Sequence, residues 1–394
     1  MDRLIYFDNA STTFPKPDSV HDAVRDFYSR YGVNPGRTGC ELALRAERLV
    51  ADTRRRLSEL FNPGDAGKDP NRLVFTHNAT MSLNLIIGGC VGPGDHVVLT
   101  ALEHNAVIRP VNHKVAAGAA RTVVAPDAEG YVDPADIRRA LRPGTRLVVV
   151  NHASNVTGAV QDLAGIGAVC REAGVPLAVD AAQTAGVLPI DMGACHASFV
   201  AFTGHKGLFG PTGTGGICVA DDAEIRGTLY GGTGVRSAEP LHPEDFPLRL
   251  EAGTLNLAGI AGLAAGLDFI AARGREAILE HELSLLERLQ AGLADIAGVR
   301  LVGPRNLARR VATLSFTVAG HDAGEAAAFL EAECCLVTRP GLQCAPLIHE
   351  HHGTAPEGTV RMSLGPFNTV EEVDAAVAGV AALAAGRTAR VARA

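Results

Sequence analysis

Lys206 stands in Thr203-Gly204-His205-Lys206-Gly207-Leu208-Phe209-Gly210-Pro211, directly after the strand-like run Ser198–Phe202. A lysine at a strand end, inside a glycine-rich turn, can project into a cleft. Partial burial and neighbouring cations lower its pKa, so the free amine can attack a carbonyl. Most lysines are solvated surface groups, so the flanking chemistry has to decide. Asp180 ends the run Pro176–Asp180, and Gln183 follows in Asp180-Ala181-Ala182-Gln183. A carboxylate suits a pyridine nitrogen and an amide suits a phenolic oxygen. Those are the needs of a pyridoxal-phosphate ring used as an electron sink, held as a Schiff base on Lys206. Taken alone, Asp180 would equally serve as a helix cap.

Three further places fit that chemistry. Asn78-Ala79-Thr80 opens a helix after the run Arg72–Thr76. A helix N-terminus offers free N–H groups and a positive dipole end, so it can hold a phosphate, although the same residues make an ordinary N-cap. His104, in Glu103-His104-Asn105, follows the run His96–Thr100 and is placed to stack on a ring or to move protons. A lone loop histidine is more often structural. Asn155, in the segment Asn151–Gly158, also follows a strand-like run and can donate to cofactor or substrate oxygens.

The elements that must position these residues follow a regular rhythm. From about residue 72 the chain alternates strand-like and helical segments: strands Arg72–Thr76, His96–Thr100, Arg121–Ala125, Arg146–Asn151, Pro176–Asp180, Ser198–Thr203 and Thr214–Ala220, with helices such as Ala79–Gly89 and Leu163–Ala173 between them. This predicts an α/β domain with a mainly parallel sheet, in which ligands bind at the carboxyl ends of strands. Each candidate above sits at such an end. Near residue 256 the pattern changes to two long helices, Leu257–Arg273 and Glu276–Ala297. Strands Val299–Val302, Arg310–Val318 and Thr359–Leu364 and helices Ala323–Glu333 and Val370–Ala385 complete a smaller α+β part. The spans expected are 15–270 for the large domain, and 1–14 with 271–394 for the small one. Arg387–Ala394 reads as a frayed tail.

Composition narrows the classes. A net charge of −7 over 394 residues gives nucleic-acid binding no electrostatic basis. No run of about 18 apolar residues occurs, so no membrane span is expected. Met1-Asp2-Arg3-Leu4 does not open a secretory signal, which makes the cytoplasm the expected compartment. Eight cysteines contain no C-x-x-C pair, so zinc is not expected. They should be thiols, with Cys90, Cys170, Cys195 and Cys218 in the core. His349-Glu350-His351-His352 reads as a solvated loop and not as a metal site. Cys334-Cys335 reads as a buried strand start.

Together these residues resemble the class V aminotransferase family of fold type I pyridoxal-phosphate enzymes, in its cysteine desulfurase and selenocysteine lyase branch. The likeness runs from Tyr6-Phe7-Asp8-Asn9-Ala10-Ser11-Thr12-Thr13 to about Asn368-Thr369. It implies a large domain with a mainly parallel seven-stranded sheet. Lys206 would be the Schiff-base lysine, with Asp180 on the pyridine nitrogen and Gln183 on the phenolic oxygen. His104 would stack on the ring, and Ala79, Thr80, Thr203 and His205 would hold the phosphate. Thr254 matches a residue that reaches the phosphate of a neighbouring subunit, which implies a homodimer. Arg361, with Asn155, would clamp the substrate α-carboxylate, as a guanidinium does bidentately, and Ala10 and Arg339 would lie beside the substrate.

Arg339-Pro340-Gly341-Leu342-Gln343-Cys344-Ala345-Pro346 is similar to the cysteine loop of group II cysteine desulfurases. The resemblance implies that L-cysteine becomes L-alanine while Cys344 keeps the sulfur as a persulfide for an acceptor protein or a thiol. A thiolate is the reactive form, and Arg339 could favour it. Leu342 and Gln343 stand where the family carries histidines, and so does Cys40 in the loop Asn34–Cys40. These changes bear on substrate identity. The other readings of this scaffold are selenocysteine lyase, β-elimination, kynurenine hydrolysis, transamination, or a catalytically silent sulfur-relay partner.

Overall fold

The computed structural model describes residues 4–35, 39–61 and 69–386. Its elements begin with β1 (Ile5–Tyr6), α1 (Asp18–Arg30), α2 (Glu41–Leu60), β2 (Leu73–Thr76), α3 (Ala79–Cys90), β3 (His96–Thr100) and α4 (Asn105–Ala116). Then come β4 (Ala120–Val124), α5 (Pro134–Ala140), β5 (Thr145–Asn151), α6 (Leu163–Glu172), β6 (Leu177–Asp180), β7 (Phe199–Thr203) and β8 (Gly215–Val219). After a long irregular segment follow α7 (Leu257–Arg273), α8 (Arg275–Ala294), β9 (Val299–Val302), β10 (Thr313–Val318), α9 (Ala323–Cys334) and β11 (Leu336–Val337). The chain closes with β12 (Arg339–Gly341), α10 (Pro346–His351), β13 (Thr359–Ser363) and α11 (Val370–Ala384).

Among the described residues the main sheet has seven strands in the order β2-β8-β7-β6-β5-β3-β4. From β4 to β7 the neighbours run parallel, and β8 is antiparallel to both β7 and β2. The inner strands are apolar on both faces because helices cover both. One core layer joins Val148, Val150, Val179 and Phe202 to the helices α2, α6 and α7, and a second joins Val97, Val149, Ala201 and Ile217 to α3 and α4. A four-stranded antiparallel sheet, β12-β13-β10-β9, packs against α8, α9 and α11 around a third core. The bend between α7 and α8 at Gly274 carries the chain from the first assembly to the second. No single helix among the described residues is long and apolar enough to cross a membrane.

The N-terminal segment ties the two assemblies together. β1 pairs in parallel with β11, and Asp8 bridges Ser363. The next residues then turn back over Lys206, where Thr13 donates from its backbone to the His205 carbonyl and from its hydroxyl to the Lys206 carbonyl.

Several elements depart from the sequence reading. α1 and α2 occupy a stretch in which no element was expected. Their buried stripes rest partly on small or polar residues, Ala43, Ala46 and Thr53 among them, so the apolar periodicity is faint. α4 and α5 fill connections where the alternation implied helices but no bounds were assigned. The strand placed from Arg310 starts at Thr313, because Arg310 turns its guanidinium onto the carbonyls of Thr157 and Thr313. Cys334 ends helix α9, and Cys335 is its left-handed cap, so the strand begins only at Leu336. His349-Glu350-His351-His352 is not a solvated loop. Its first three residues end α10, and His349 is buried. The tail from Arg387 and residues 36–38 of the Asn34–Cys40 loop lie outside the described residues.

Candidate active site

The carboxyl ends of β2, β3, β5, β6 and β7 all face one open cleft of about 280 Å3. The turn after β7 carries Lys206 into it. That turn is closed by two backbone hydrogen bonds, the Gly204 N–H donating to the Thr214 carbonyl and the Gly210 N–H donating to the Gly204 carbonyl, both at 2.8 Å. A side chain at Gly204 would start 2.1 Å from the Thr214 hydroxyl, so the close approach demands glycine. Burial and the nearby Arg361 lower the Lys206 pKa to about 8, against the pull of Asp180, Asp8 and Cys344. A large share of the amine is therefore unprotonated in mildly alkaline solution.

Asp180, 2% exposed, ends β6 and receives the Ala182 N–H at 2.9 Å on Oδ1. Burial raises its pKa, while that hydrogen bond and Lys206 hold it down. Gln183 donates to the Ala10 carbonyl at 3.1 Å. His104 is the N-cap of α4, and its Nδ1 accepts the Ala106 N–H at 3.0 Å. Burial, Lys206 and two arginines push it down to about 4, so it is a neutral imidazole at working pH. Asn78 caps α3, which presents Ala79 and Thr80 at its N-terminus, and Thr203 and His205 line the same end of the cleft. His205 is likewise held near 4, by burial, Lys206 and Lys16.

The other wall reads carboxylate chemistry. Arg361, 2% exposed on β13, donates from Nη2 to Asp8 at 2.5 Å and to Ser11 at 2.8 Å, and from Nη1 to the Asn155 carbonyl at 2.9 Å. Its Nε and the Asn155 Oδ1 are buried without a partner. Two donor directions of a buried cation and an adjacent acceptor therefore remain for a ligand such as an α-amino acid. Arg339, Ala10, Gln343 and Cys344 complete the lining. Cys344 is exposed, with φ +59°, after Gln343 at +40°. Two successive left-handed residues other than glycine strain the backbone by about 1–3 kcal/mol each.

Of the residues expected from sequence, the cleft gathers Ala10, Ala79, Thr80, His104, Asn155, Asp180, Gln183, Thr203, His205, Lys206, Arg339, Cys344 and Arg361. Thr254 is not among them; it borders a separate small cavity with Thr76, His77 and Gly213. Sequence reading missed Asp8 and Ser11, which signal nothing until their contact with Arg361 is seen. It also missed Glu103, which is wholly buried beneath the cleft. Glu103 accepts from the Thr100 hydroxyl at 2.7 Å and the Asn151 N–H at 2.9 Å, and burial pushes it up to about 8. Its position directly before His104 was the one available signal.

An amine near pH 8, a buried carboxylate facing it, a side-chain amide and a helix N-terminus fit a flat aromatic aldehyde bearing a phosphate. The residues present match that group in chemistry.

Residues 5–376 match the family described as aminotransferase class-V. A relative from Methanothermobacter thermautotrophicus named "Probable cysteine desulfurase" is 36% identical over 378 residues, covering 94% of this chain and 92% of its own. The structure of a cysteine desulfurase from Thermococcus onnurineus superposes with a TM-score of 0.90 at 31% identity, covering 97% and 95% of the two chains. That of a cysteine desulfurase from Escherichia coli gives 0.85 at 29% identity, covering 96% and 94%.

Proposed function

Since the chain belongs to the class-V aminotransferase family, we propose that it is a pyridoxal-phosphate-dependent cysteine desulfurase. On this reading it converts L-cysteine to L-alanine and keeps the sulfur on Cys344. The observation that carries this reading is the presence of an exposed cysteine in the same cleft as Lys206, Asp180 and Arg361. The names of the similar proteins support it.

Lys206 would hold the cofactor covalently, Asp180 its ring nitrogen and Gln183 its phenolic oxygen. The N-terminus of α3, with Thr80, Thr203 and His205, would hold its phosphate. When bound, the cofactor supplies an electron sink for the charge left on the substrate Cα. The Arg361 guanidinium and Asn155 orient the substrate carboxylate and so fix the direction of the Cα–H bond. Lys206 Nζ, a free amine above about pH 8, takes that proton. The Cys344 thiolate then attacks the substrate sulfur. The Cβ–S bond breaks and an S–S bond forms. The two electrons given up by the sulfurs end in the new C–H bond of the alanine methyl group, so no outside oxidant is needed. An acceptor protein or a small thiol collects the sulfur.

Incubation with L-cysteine followed by mass analysis of the Cys344 peptide tests the proposal. One added sulfur together with free alanine is the expected result. Alanine without that addition, in a protein whose Cys344→Ala variant stays active, would favour selenocysteine lyase or another reaction of the family. Borohydride should trap the cofactor on Lys206 and not in the Lys206→Ala variant. The homodimer reading rests on Thr254, exposed and outside the cleft, and on exposed Leu229, Tyr230, Val235 and Leu241 in the segment before it. Sedimentation at low concentration tests it.

A further inference from the structure

Gln343 stands where a titratable side chain facing the substrate was expected from the family, yet it is 5% exposed and turned inward. Its amide nitrogen donates to two backbone carbonyls, Arg339 at 3.1 Å and Thr359 at 2.8 Å. Both amide hydrogens are thereby used. Its Oε1 accepts from the Thr359 hydroxyl at 3.3 Å and lies 2.9 Å from His349 Nε2. An amide oxygen only accepts, so His349 carries its proton on Nε2. The Nδ1 atom is then an acceptor, and the Thr354 hydroxyl lies 2.8 Å from it.

All the groups in this chain of bonds are buried: His349 is 1% exposed, Thr354 5% and Thr359 0%. Burial, with His352 nearby, also holds His349 down near 4, which keeps the imidazole in the neutral form that the bonds require. The backbone around Cys344 is pinned as well. The Gln343 carbonyl accepts from Asn155 Nδ2, and the Cys344 carbonyl accepts from the Asn105 N–H, both at 2.7 Å. A left-handed pair of non-glycine residues persists only where its surroundings over-determine it, and Gln343 is the residue at which these constraints meet.

We propose that His349, acting through Gln343, is a positioning residue that holds the Cys344 thiol over Lys206 in its left-handed turn. The inference rests on the reading that Cys344 receives the substrate sulfur. It goes further in assigning the control of that step to a buried imidazole outside the cleft. The thiol is presented in place, and the sulfur acceptor must come to it.

The test uses His349→Ala, His349→Gln and Thr354→Val in the full-length holoenzyme, with folding checked by thermal melting. A glutamine amide can place an N–H where imidazole Nε2–H stood. In His349→Ala, alkylation of Cys344 by iodoacetamide without substrate should quicken severalfold. Single-turnover persulfide formation should fall by up to about 100-fold, as a displacement near 1 Å commonly does. The change in cofactor absorbance on adding L-alanine should stay as in the parent protein. His349→Gln should restore both rates. The proposal is overturned if His349→Ala matches the parent in both, or if His349→Gln folds and behaves no better than His349→Ala. If His349→Ala does not fold, Thr354→Val decides. It removes only the hydroxyl facing Nδ1, and parental rates there would overturn the proposal. If the parent protein forms no persulfide, the desulfurase reading fails. The alkylation rates, measured without substrate, still decide whether His349 positions Cys344.

Discussion

Asp8→Asn isolates the ion pair on which the carboxylate-reading wall is built. Asp8 is 7% exposed and Arg361 2%, and their contact at 2.5 Å is shielded from water. Removing one charge of a buried pair strands the other and costs about 3–5 kcal/mol. Asparagine keeps an acceptor oxygen, and Ser11 and the Asn155 carbonyl still receive from the guanidinium, which places the expected loss at the lower end. About 3 kcal/mol lowers the ratio of folded to unfolded protein by roughly two orders of magnitude. Urea unfolding of the ligand-free protein measures this as a lower midpoint at unchanged slope. A carboxylate ligand such as L-alanine supplies the missing negative charge, so it should stabilise Asp8→Asn more than the parent. The Lys206 amine gives a second readout. Asp8 raises its pKa and Arg361 lowers it, so losing Asp8 shifts the acid limb of activity to lower pH. A loss within about 0.5 kcal/mol, the range of ordinary surface changes, with no added response to L-alanine, would refute the account of Arg361 as a caged cation.

Three other outcomes follow. Lys206 is held at about 8, below its ordinary 10.5. Activity should therefore rise with pH through about 8. Between pH 8 and 10.5 the unfolded chain binds the extra proton, so stability of the cofactor-free protein should rise with pH there, a slope that Lys206→Met removes. Glu103 is raised from 4.5 to about 8, so its contribution is full below pH 4.5 and is lost as pH climbs through 8. Glu103→Gln, a neutral isostere, should fold normally and flatten that decline in urea titrations. Gly358 has φ +80°, and a Cβ there would sit 2.1 Å from the Gly341 carbonyl. Gly358→Ala should lose more than about 1 kcal/mol and slow persulfide formation by displacing β12, with cofactor uptake preserved.

The large sheet was legible because its strands are short β-branched runs ended by turn residues. The cofactor end was legible because each of its residues follows such a run. α2 was not, since alanines, Thr53 and Arg54 fill much of its buried face. Arg361 was legible as a carboxylate clamp, but its pairing with Asp8 was out of reach because the two are 353 residues apart and nothing local joins them. The His349 error has a physical cause too. Three histidines around one glutamate look polar, but a hydroxyl and an amide oxygen satisfy His349 inside the fold, and polarity then says nothing about exposure.

The tie between the chain's first residues and its last strands sets an order on the ribosome. The seven strands of the large sheet, with Asp180 and Lys206 at their ends, have all been made by Val219. β1 must wait for Leu336–Val337, and Asp8 waits longer still for Arg361. A growing chain folds from its N-terminal side, but here the N-terminal segment is among the last pieces to dock. The nascent protein thus carries Lys206 before Arg361, the cation on the opposite wall of the cleft, has been made. Selectivity is the last property this protein acquires as it is born.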